Sequence, residues 1–124
     1  MGKNVEIEKR NSERFKSGIP VLIKTKDITK ILECTLIDIS ETGFAVRIEH
    51  GKIKMSSEEH FILSIDPALF ELNEYNSIEI NSVCKRFDLE NKILGAIFYK
   101  NTELINKYLE NIISYFKKIN ENLY

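Results

Sequence analysis

Residues 31–49, which decide the fold, read ILECTLIDISETGFAVRIE. Apolar side chains take alternate positions in both halves of this stretch, at Leu32, Cys34 and Leu36 and then at Phe44, Val46 and Ile48. A repeat of two residues is typical of a strand that buries one face. The intervening Glu41-Thr42-Gly43 has the composition of a tight turn. The stretch therefore predicts an antiparallel β-hairpin.

Similar short segments flank this hairpin on both sides. The predicted strands of the chain are Ile19–Lys24, Ile31–Ser40, Phe44–Glu49, His60–Asp66, Tyr75–Phe87 and Ile93–Tyr99. Pro67 marks the end of the fourth strand, because proline has no N–H for a central ladder. Strands of this length and spacing predict a mainly β fold, a small antiparallel barrel or sandwich of six strands.

The period of the hydrophobic pattern changes near the C-terminal end of the sequence. Apolar residues recur at steps of three and four, which predicts one face of an α-helix, at Leu104, Ile105, Tyr108, Leu109, Ile112, Ile113, Phe116 and Ile119. Asn101 or Thr102 is suited to cap its first turn. We interpret the stripe as the face that packs on the barrel, with a partner or dimer interface as the alternative.

The chain divides into a short arm and one folded unit. Residues 1–17 are polar and charged with only scattered apolar side chains, so we expect a flexible N-terminal arm. Gly18 and Pro20 mark the start of the folded part, and residues 18–124 are predicted to form the barrel and the helix. A chain of 124 residues is long enough for one domain.

Composition excludes several classes of partner. The net charge of −1 gives no overall basic field for DNA or RNA. The apolar runs fall far short of the ~20 residues that a transmembrane helix needs, and no apolar leader follows Met1, so we expect a cytoplasmic protein without membrane insertion. Cys34 and Cys84 lack the CxxC spacing, and we interpret them as reduced strand residues, with a disulfide or a reactive thiol as the alternatives.

Catalytic and metal-binding patterns are lacking in the sequence. His50 and His60 stand beside neither a nucleophile nor a metal-ligand spacing, and we expect both to be surface residues. No phosphate-binding GxGxxG or Walker loop is present. The sequence thus predicts no enzyme, no metal and no cofactor.

Two short motifs stand in a fixed order. Residues 10–14 read RNSER, an RxxxR motif, and residues 38–43 read DISETG, a DxSxxG motif. Arg14 and Asp38 are 24 positions apart. In the two motifs, their order, their spacing and the strand plan, the chain resembles the PilZ family over residues 9 to about 119. The resemblance implies a six-stranded antiparallel β-barrel with a C-terminal α-helix, and a receptor for the bacterial second messenger cyclic di-GMP (c-di-GMP).

The resemblance assigns the two motifs to binding this nucleotide. Arg10 and Arg14 would each offer a planar fork of donors that fits a guanine edge or a phosphate. Asp38 would accept from guanine N1–H and N2–H₂, and Ser40 would serve the turn or the ligand. Gly43 would allow a positive φ and a close approach of the ligand. Lys9, Arg47 and Arg86 are further candidates, and a basic residue at position 9 would favour a second nucleotide.

The same residues allow a purely structural interpretation. Asp38, Ser40 and Gly43 also suit a hairpin turn whose side chains bond to local backbone. Two functions therefore stay open. The first is a cyclic di-GMP receptor that orders its arm on binding and signals to an effector protein. The alternative is a degenerate PilZ-like scaffold for protein contacts that binds no nucleotide.

Overall fold

A computed structural model describes residues 13–26, 30–51, 53–70 and 76–122. Its strands are β1 (Phe15–Thr25), β2 (Ile31–Ile39), β3 (Gly43–Ile48), β4 (His60–Ile65), β5 (Ile78–Asp88) and β6 (Ile93–Phe98). They pair in the order β1-β2-β3-β6-β5-β4, and β4 pairs with β1 to close a barrel. Every pairing is antiparallel, so the predicted barrel is confirmed over this part of the chain.

The barrel interior holds the apolar half of each alternating strand. Phe44 lies at its centre with no exposed surface, and its ring stacks on Phe98 at 5.4 Å and meets Phe61 edge-on at 6.0 Å. Fully buried aliphatic side chains from the other strands fill the space around it, including Ile23, Leu36, Leu63, Ile80 and Leu94. Burying each such side chain contributes about 1.5–3 kcal/mol, which makes this core the main source of stability.

The C-terminal helix α1 spans Glu103–Asn122. Thr102 is its N-cap, because the Thr102 Oγ1 accepts a hydrogen bond from the Ile105 amide at 3.2 Å. The side chains that it buries against the barrel include Leu109, Ile112 and Phe116. Two members of the predicted apolar stripe point elsewhere, since Leu104 is 59% exposed and Ile119 38% exposed.

Two asparagine side chains fasten this helix to strand backbones. Asn120, in the last turn, accepts from the Lys16 amide at 3.3 Å and donates to the Lys16 carbonyl at 3.1 Å. Asn101, just before the helix, makes the same pair of bonds with Asn81, at 2.8 and 3.0 Å. Each amide therefore bonds a strand residue in the way that a neighbouring strand would.

The first strand begins earlier than the sequence predicted. Residues 15–17, assigned to a flexible arm, lie in β1, and Phe15 is buried. Gly18 adopts a φ of +91° at an irregularity between Lys16 and Ile19, which lets the strand continue instead of ending it. Pro20 is tolerated because β1 pairs with β4 only from Leu22 onward, so no ladder bond is lost.

Smaller differences concern the second half of the barrel. Strand β5 begins at Ile78 and not at residue 75, because residues 76 and 77 are outside the strand. After β4 the chain makes a single 3₁₀ turn, Pro67–Phe70. Within the described ranges, no helix has both the length and the hydropathy to cross a membrane.

Candidate functional site

The DxSxxG turn between β2 and β3 is built around one buried hydroxyl. Ser40 is 1% exposed, and its Oγ accepts hydrogen bonds from the amides of Thr42 at 3.3 Å and Gly43 at 3.2 Å. The Ser40 amide donates to the Gly43 carbonyl at 2.8 Å. A serine here satisfies backbone groups that a tight turn leaves open. Ser40 thus shapes the turn through its buried hydroxyl.

Gly43 is required for a reason that the sequence did not reveal. The expectation of a positive φ was wrong, because within the described residues only Gly18 and Gly51 among the glycines have one. A β-carbon on residue 43 would lie 2.2 Å from the carbonyl oxygen of Ala96 on β6. Glycine is needed so that β3 can approach β6 closely at this point, where Gly43 pairs with Ile97.

A β-bulge in β2 turns Asp38 to the outside of the barrel. Leu36 pairs with Val46, and Asp38 pairs with Ala45, so Ile37 is the extra residue between them. Strict alternation after the buried Leu36 would point residue 38 into the core. The inserted residue shifts the phase, and the Asp38 side chain reaches the surface, where it is 25% exposed.

A second β-bulge, in β5, turns the Arg86 side chain to the outside of the barrel. Cys84 is fully buried and pairs with Ala96, whereas Arg86 is exposed and pairs with Gly95, which leaves Lys85 as the extra residue. Without the bulge, residue 86 would share the inward direction of residue 84. The bulge therefore places a guanidinium group on the outer surface.

The two bulged strands meet through one continuous line of paired residues. Asp38 pairs with Ala45, Ala45 with Gly95, and Gly95 with Arg86. Residues that pair directly point to the same side of a sheet. We call these four residues the cross-strand row. It spans about 14 Å over three strand spacings, with a carboxylate at one end, a guanidinium at the other and two small residues between them.

Arg14 of the RxxxR motif joins this row. Its Nη1 donates to Asp38 Oδ1 at 2.7 Å, and the two side chains are 50% and 25% exposed. The pairing of Lys16 with Asp38 brings the arginine to this end of the row. The structure thus unites the two sequence motifs, which lie 24 positions apart. Asp38 Oδ2 makes no hydrogen bond within the described ranges and can accept one from a ligand.

The remaining predicted site residues have different positions. Arg47 lies on the outer face of β3, two residues along from Ala45, and contacts Glu49 through Nε at 3.1 Å and through Nη2 at 3.0 Å. Its guanidinium is therefore already paired with a carboxylate. Lys9 and Arg10 lie outside the described residues.

No other part of the described chain assembles a reactive site. His50 and His60 are both exposed, and no group of three histidine, cysteine, aspartate or glutamate side chains in these ranges could hold a metal. Cys34 and Cys84 are free and buried, as interpreted from the sequence. Burial, with a smaller contribution from the Glu49 carboxylate, raises the pKa of the Cys34 thiol to about 12.

Sequence reasoning missed the small residues in the middle of the row. Ala45 and Gly95 carry no functional group, so no motif search for ligand chemistry would select them. One signal was present, since a glycine inside a strand often marks a close approach of another group. In this structure the approaching group is the Arg86 side chain, which lies over Gly95.

This closed antiparallel barrel, with its motif turn and docked helix, defines a class of small β-barrel domain. The sequence profile of the PilZ domain family matches residues 8–111, so the chain belongs to that family. No curated protein sequence matches the chain.

Three solved structures share the fold. The PilZ domain of CeSA from a cellulose-synthesizing bacterium superposes with a TM-score of 0.67 at 17% identity, covering 86% of this chain and 99% of the other. The PilZ domain of YcgR from Escherichia coli, solved with c-di-GMP, gives 0.66 at 15% identity, covering 92% and 95%. The Bacillus subtilis inhibitor of motility MotI (DgrA) gives 0.64 at 20% identity, covering 92% of this chain and 52% of the other.

Proposed function

We propose that this domain is a receptor for cyclic di-GMP and not an enzyme. In this proposal the nucleotide binds on the cross-strand row in the cytoplasm, and the loaded domain signals to an effector protein. Membership of the PilZ family supports the ligand class, and the YcgR domain of the same fold was solved with c-di-GMP.

The observation that carries the proposal is the placement of Arg14 and Asp38 at one end of the row and Arg86 at the other, with two small residues between them. Asp38 and Arg14 are in direct contact at 2.7 Å, and the row links Asp38 to Arg86 through three strand pairings. Ala45 is small and the Arg86 side chain lies across Gly95, so a flat base could stack on the row without meeting a bulky side chain between its ends. A ligand with two planar bases and two phosphates fits a surface of this shape that has hydrogen-bonding groups at both ends.

The polar groups of the row suit guanine in particular. The Asp38 carboxylate can accept from N1–H and N2–H₂ of guanine, whereas adenine presents an acceptor at N1. The guanidinium groups of Arg14 and Arg86 can bond phosphate oxygens or the O6 and N7 edge of guanine. The same site should therefore reject a cyclic dinucleotide of adenine.

We further propose that residues 1–12 close over the bound nucleotide. This segment includes Arg10 and Lys9, and it precedes Arg14, which is already at the row. Fixing each residue costs roughly 1–2 kcal/mol, so only the few residues around Arg10 should become ordered. The closed segment would add a surface that exists only in the loaded domain, and an effector could recognise it. Amide hydrogen exchange with and without cyclic di-GMP measures this change as protection gained before residue 14.

The decisive experiment is a calorimetric titration of the purified chain with cyclic di-GMP, with cyclic di-AMP as the matched control. We expect saturable binding of the guanine ligand, a stoichiometry of one or two nucleotides, and binding of the adenine ligand at least tenfold weaker. Asp38→Asn keeps the size of the side chain and removes its charge, and it should reduce this preference. Absence of heat with cyclic di-GMP would favour the alternative function, a PilZ-like protein scaffold without nucleotide.

A further inference from the structure

A groove on the outside of the barrel lies apart from the cross-strand row. It has a volume of about 540 Å³ and runs across β1 and its neighbours β2 and β4 to the 3₁₀ turn. None of the four row residues lines it. Sites for small ligands and peptide side chains commonly fall between about 300 and 1,000 Å³. We call this feature the β1 groove.

The β1 groove has an apolar part on the outer face of the sheet. Leu22 pairs with Ser64, so both side chains are on the side of the sheet opposite the core residue Ile23. Ser64 is nevertheless only 4% exposed. Pro67 and Leu69 of the 3₁₀ turn line the same groove, and Leu69 is 37% exposed. The groove therefore offers apolar surface to a side chain from outside.

The charged residues that line the groove are mostly acidic. Among the residues that the structure describes, they comprise Glu33, Glu49 and Asp66, together with Lys24 and the imidazole of His50. Lys24 is already neutralised by Glu79, with Nζ and Oε1 2.6 Å apart. The groove therefore contributes no unpaired lysine or arginine to a negatively charged ligand.

The acidic groups differ in how far they are compensated. Glu49 accepts from Thr35 and from Arg47, and these hydrogen bonds hold its pKa below the usual range. The Glu33 carboxylate lies 3.8 Å from His50, measured from Oε2 to Nε2, and Asp66 accepts from the Ala68 amide at 3.0 Å. No lysine or arginine of the described ranges forms an ion pair with Glu33 or Asp66. An excess of negative charge therefore surrounds the apolar part of the groove.

We propose that the β1 groove binds a segment of a partner protein in which apolar side chains alternate with lysine or arginine. The apolar side chains would cover Leu22 and Leu69, and the cations would face Glu33 and Asp66. Charge complementarity selects this occupant, because the acidic groups repel nucleotides and acidic peptides. Resting on the proposed function, this inference gives the effector protein an alternating apolar and basic segment. It is tested on peptide binding alone, without nucleotide.

The test uses the full chain and two fluorescein-labelled peptides of eight residues, one alternating leucine with lysine and one alternating leucine with glutamate. Fluorescence anisotropy should show binding of the leucine–lysine peptide and at least tenfold weaker binding of the leucine–glutamate peptide. Affinity should fall as salt rises, because exposed charges are screened. Equal binding of the two peptides, or no binding of either, would overturn the inference.

Matched variants locate the binding to the groove. Glu33→Lys should weaken binding of the leucine–lysine peptide by about three- to tenfold, as expected for reversal of an exposed charge. Leu69→Ser should weaken it through lost apolar contact. Glu110→Lys, the same reversal at an exposed position of α1, should leave it unchanged. Equal losses in Glu33→Lys and Glu110→Lys would mean nonspecific attraction and would refute the site.

Two further measurements separate this inference from the proposed function. Cyclic di-GMP affinity of Glu33→Lys should equal that of the wild type, which also shows that the variant folds. If wild-type chain binds the peptide at the groove but no cyclic di-GMP, the proposed function fails and this inference stands. Sedimentation should show that the wild type does not self-associate through the groove. If the wild type self-associated and Glu33→Lys abolished the association, the occupant would be a second copy of the chain and the proposal would be overturned.

Discussion

The side chain of Arg86 lies over Gly95, with its Cγ and Nε atoms 3.2 Å from the point that a β-carbon on residue 95 would occupy. The two residues are paired across β5 and β6. Arg86 can thus lie flat along the row only because its partner has no side chain. The position of Arg86 in the proposed site can therefore be tested by adding one methyl group at residue 95.

Gly95→Ala should separate ligand affinity from stability. Residue 95 has no positive φ, and alanine in a strand avoids the penalty of about 0.5–1 kcal/mol that glycine carries, so the free energy of unfolding should not decrease. The added methyl raises the surface and displaces Arg86, so cyclic di-GMP should bind about tenfold more weakly, equivalent to ~1.4 kcal/mol. Calorimetry and urea unfolding check the two parts. Undiminished affinity would argue against a ligand on this row.

Removal of the arginines should affect binding far more than folding. Arg14→Ala and Arg86→Ala each remove charge-assisted hydrogen bonds worth about 1.5–3 kcal/mol, and we expect Arg10→Ala to do the same. The ion pair of Arg14 with Asp38 is exposed enough that its loss should change the free energy of unfolding by at most ~1 kcal/mol. Calorimetric titration and urea unfolding of each variant measure the two effects.

Arg47→Ala is the matched control for these variants. Arg47 lies on the same outer surface but is paired with Glu49, so its removal should change cyclic di-GMP affinity less than removal of Arg14 or Arg86. An equal loss of affinity in all three would show that general positive charge, and not the geometry of the row, attracts the ligand.

The turn itself should respond to changes that leave the charges of the cross-strand row in place. Ser40→Ala removes the acceptor of two backbone amides inside a buried turn and should lower the free energy of unfolding by about 1–3 kcal/mol. Gly43→Ala forces a methyl group against the Ala96 carbonyl and should also destabilise the fold. Glu41→Ala, at an exposed turn position, is the control and should have little effect. Urea denaturation compares the three, and an unchanged midpoint for Ser40→Ala would contradict the assigned role.

The two thiols should be inert while the domain is folded. Burial raises the pKa of Cys34 from 9.0 to about 12, and burial, with help from the Glu59 carboxylate, also raises that of Cys84. The thiolate is the reactive form, so iodoacetamide at pH 8 should modify both residues only after unfolding in urea, as mass spectrometry would detect. Rapid modification of the native protein would contradict this prediction.

The same shift sets how stability should depend on alkaline pH. Below pH 9.0 the Cys34 thiol is protonated in both the folded and the unfolded chain, so its contribution is constant. Between pH 9.0 and about 12 the unfolded chain releases this proton while the folded chain retains it. The free energy of unfolding should therefore decrease as pH rises through this interval. Cys34→Ala, compared with the wild type by urea unfolding at several pH values, should show a weaker decrease.

Alternation and turn chemistry were sufficient to predict six antiparallel strands in a barrel or a sandwich, the hairpin around Ser40 and the helix after Thr102, and the resemblance to the PilZ family selected the barrel. They could not predict the bulges at Ile37 and Lys85, because a bulge inserts one residue between strands that otherwise alternate normally. The direction of the Arg86 side chain depends on such a bulge and was therefore left open. The start of β1 at Phe15 was not predicted, because Gly18 and Pro20 are residue types that usually end strands.

The motif residues were identified from the sequence, and a turn role for Ser40 was one of the two alternatives, but the role of Gly43 against β6 was not predicted. Ser40 and Gly43 shape the turn and its contact with β6, and both roles depend on neighbours distant in the chain or on burial. The contact between Arg14 and Asp38 was not predicted, since separate roles on the ligand were assigned to the two residues. Pairing of β1 with β2 brings them together, and this register is decided by the whole barrel.

The Asn120 amide has a consequence for how copies of this domain behave beside one another. Within the described residues, β1 from Phe15 to Val21 pairs with a strand on the β2 side only, and such an edge invites pairing with a strand from another molecule. Asn120 occupies both backbone groups of Lys16 on this edge, and Pro20 removes a donor farther along it. Docking of the helix thus occupies backbone groups that a strand of another copy would need for edge-to-edge pairing. A domain whose helix detached would expose these groups to its neighbours.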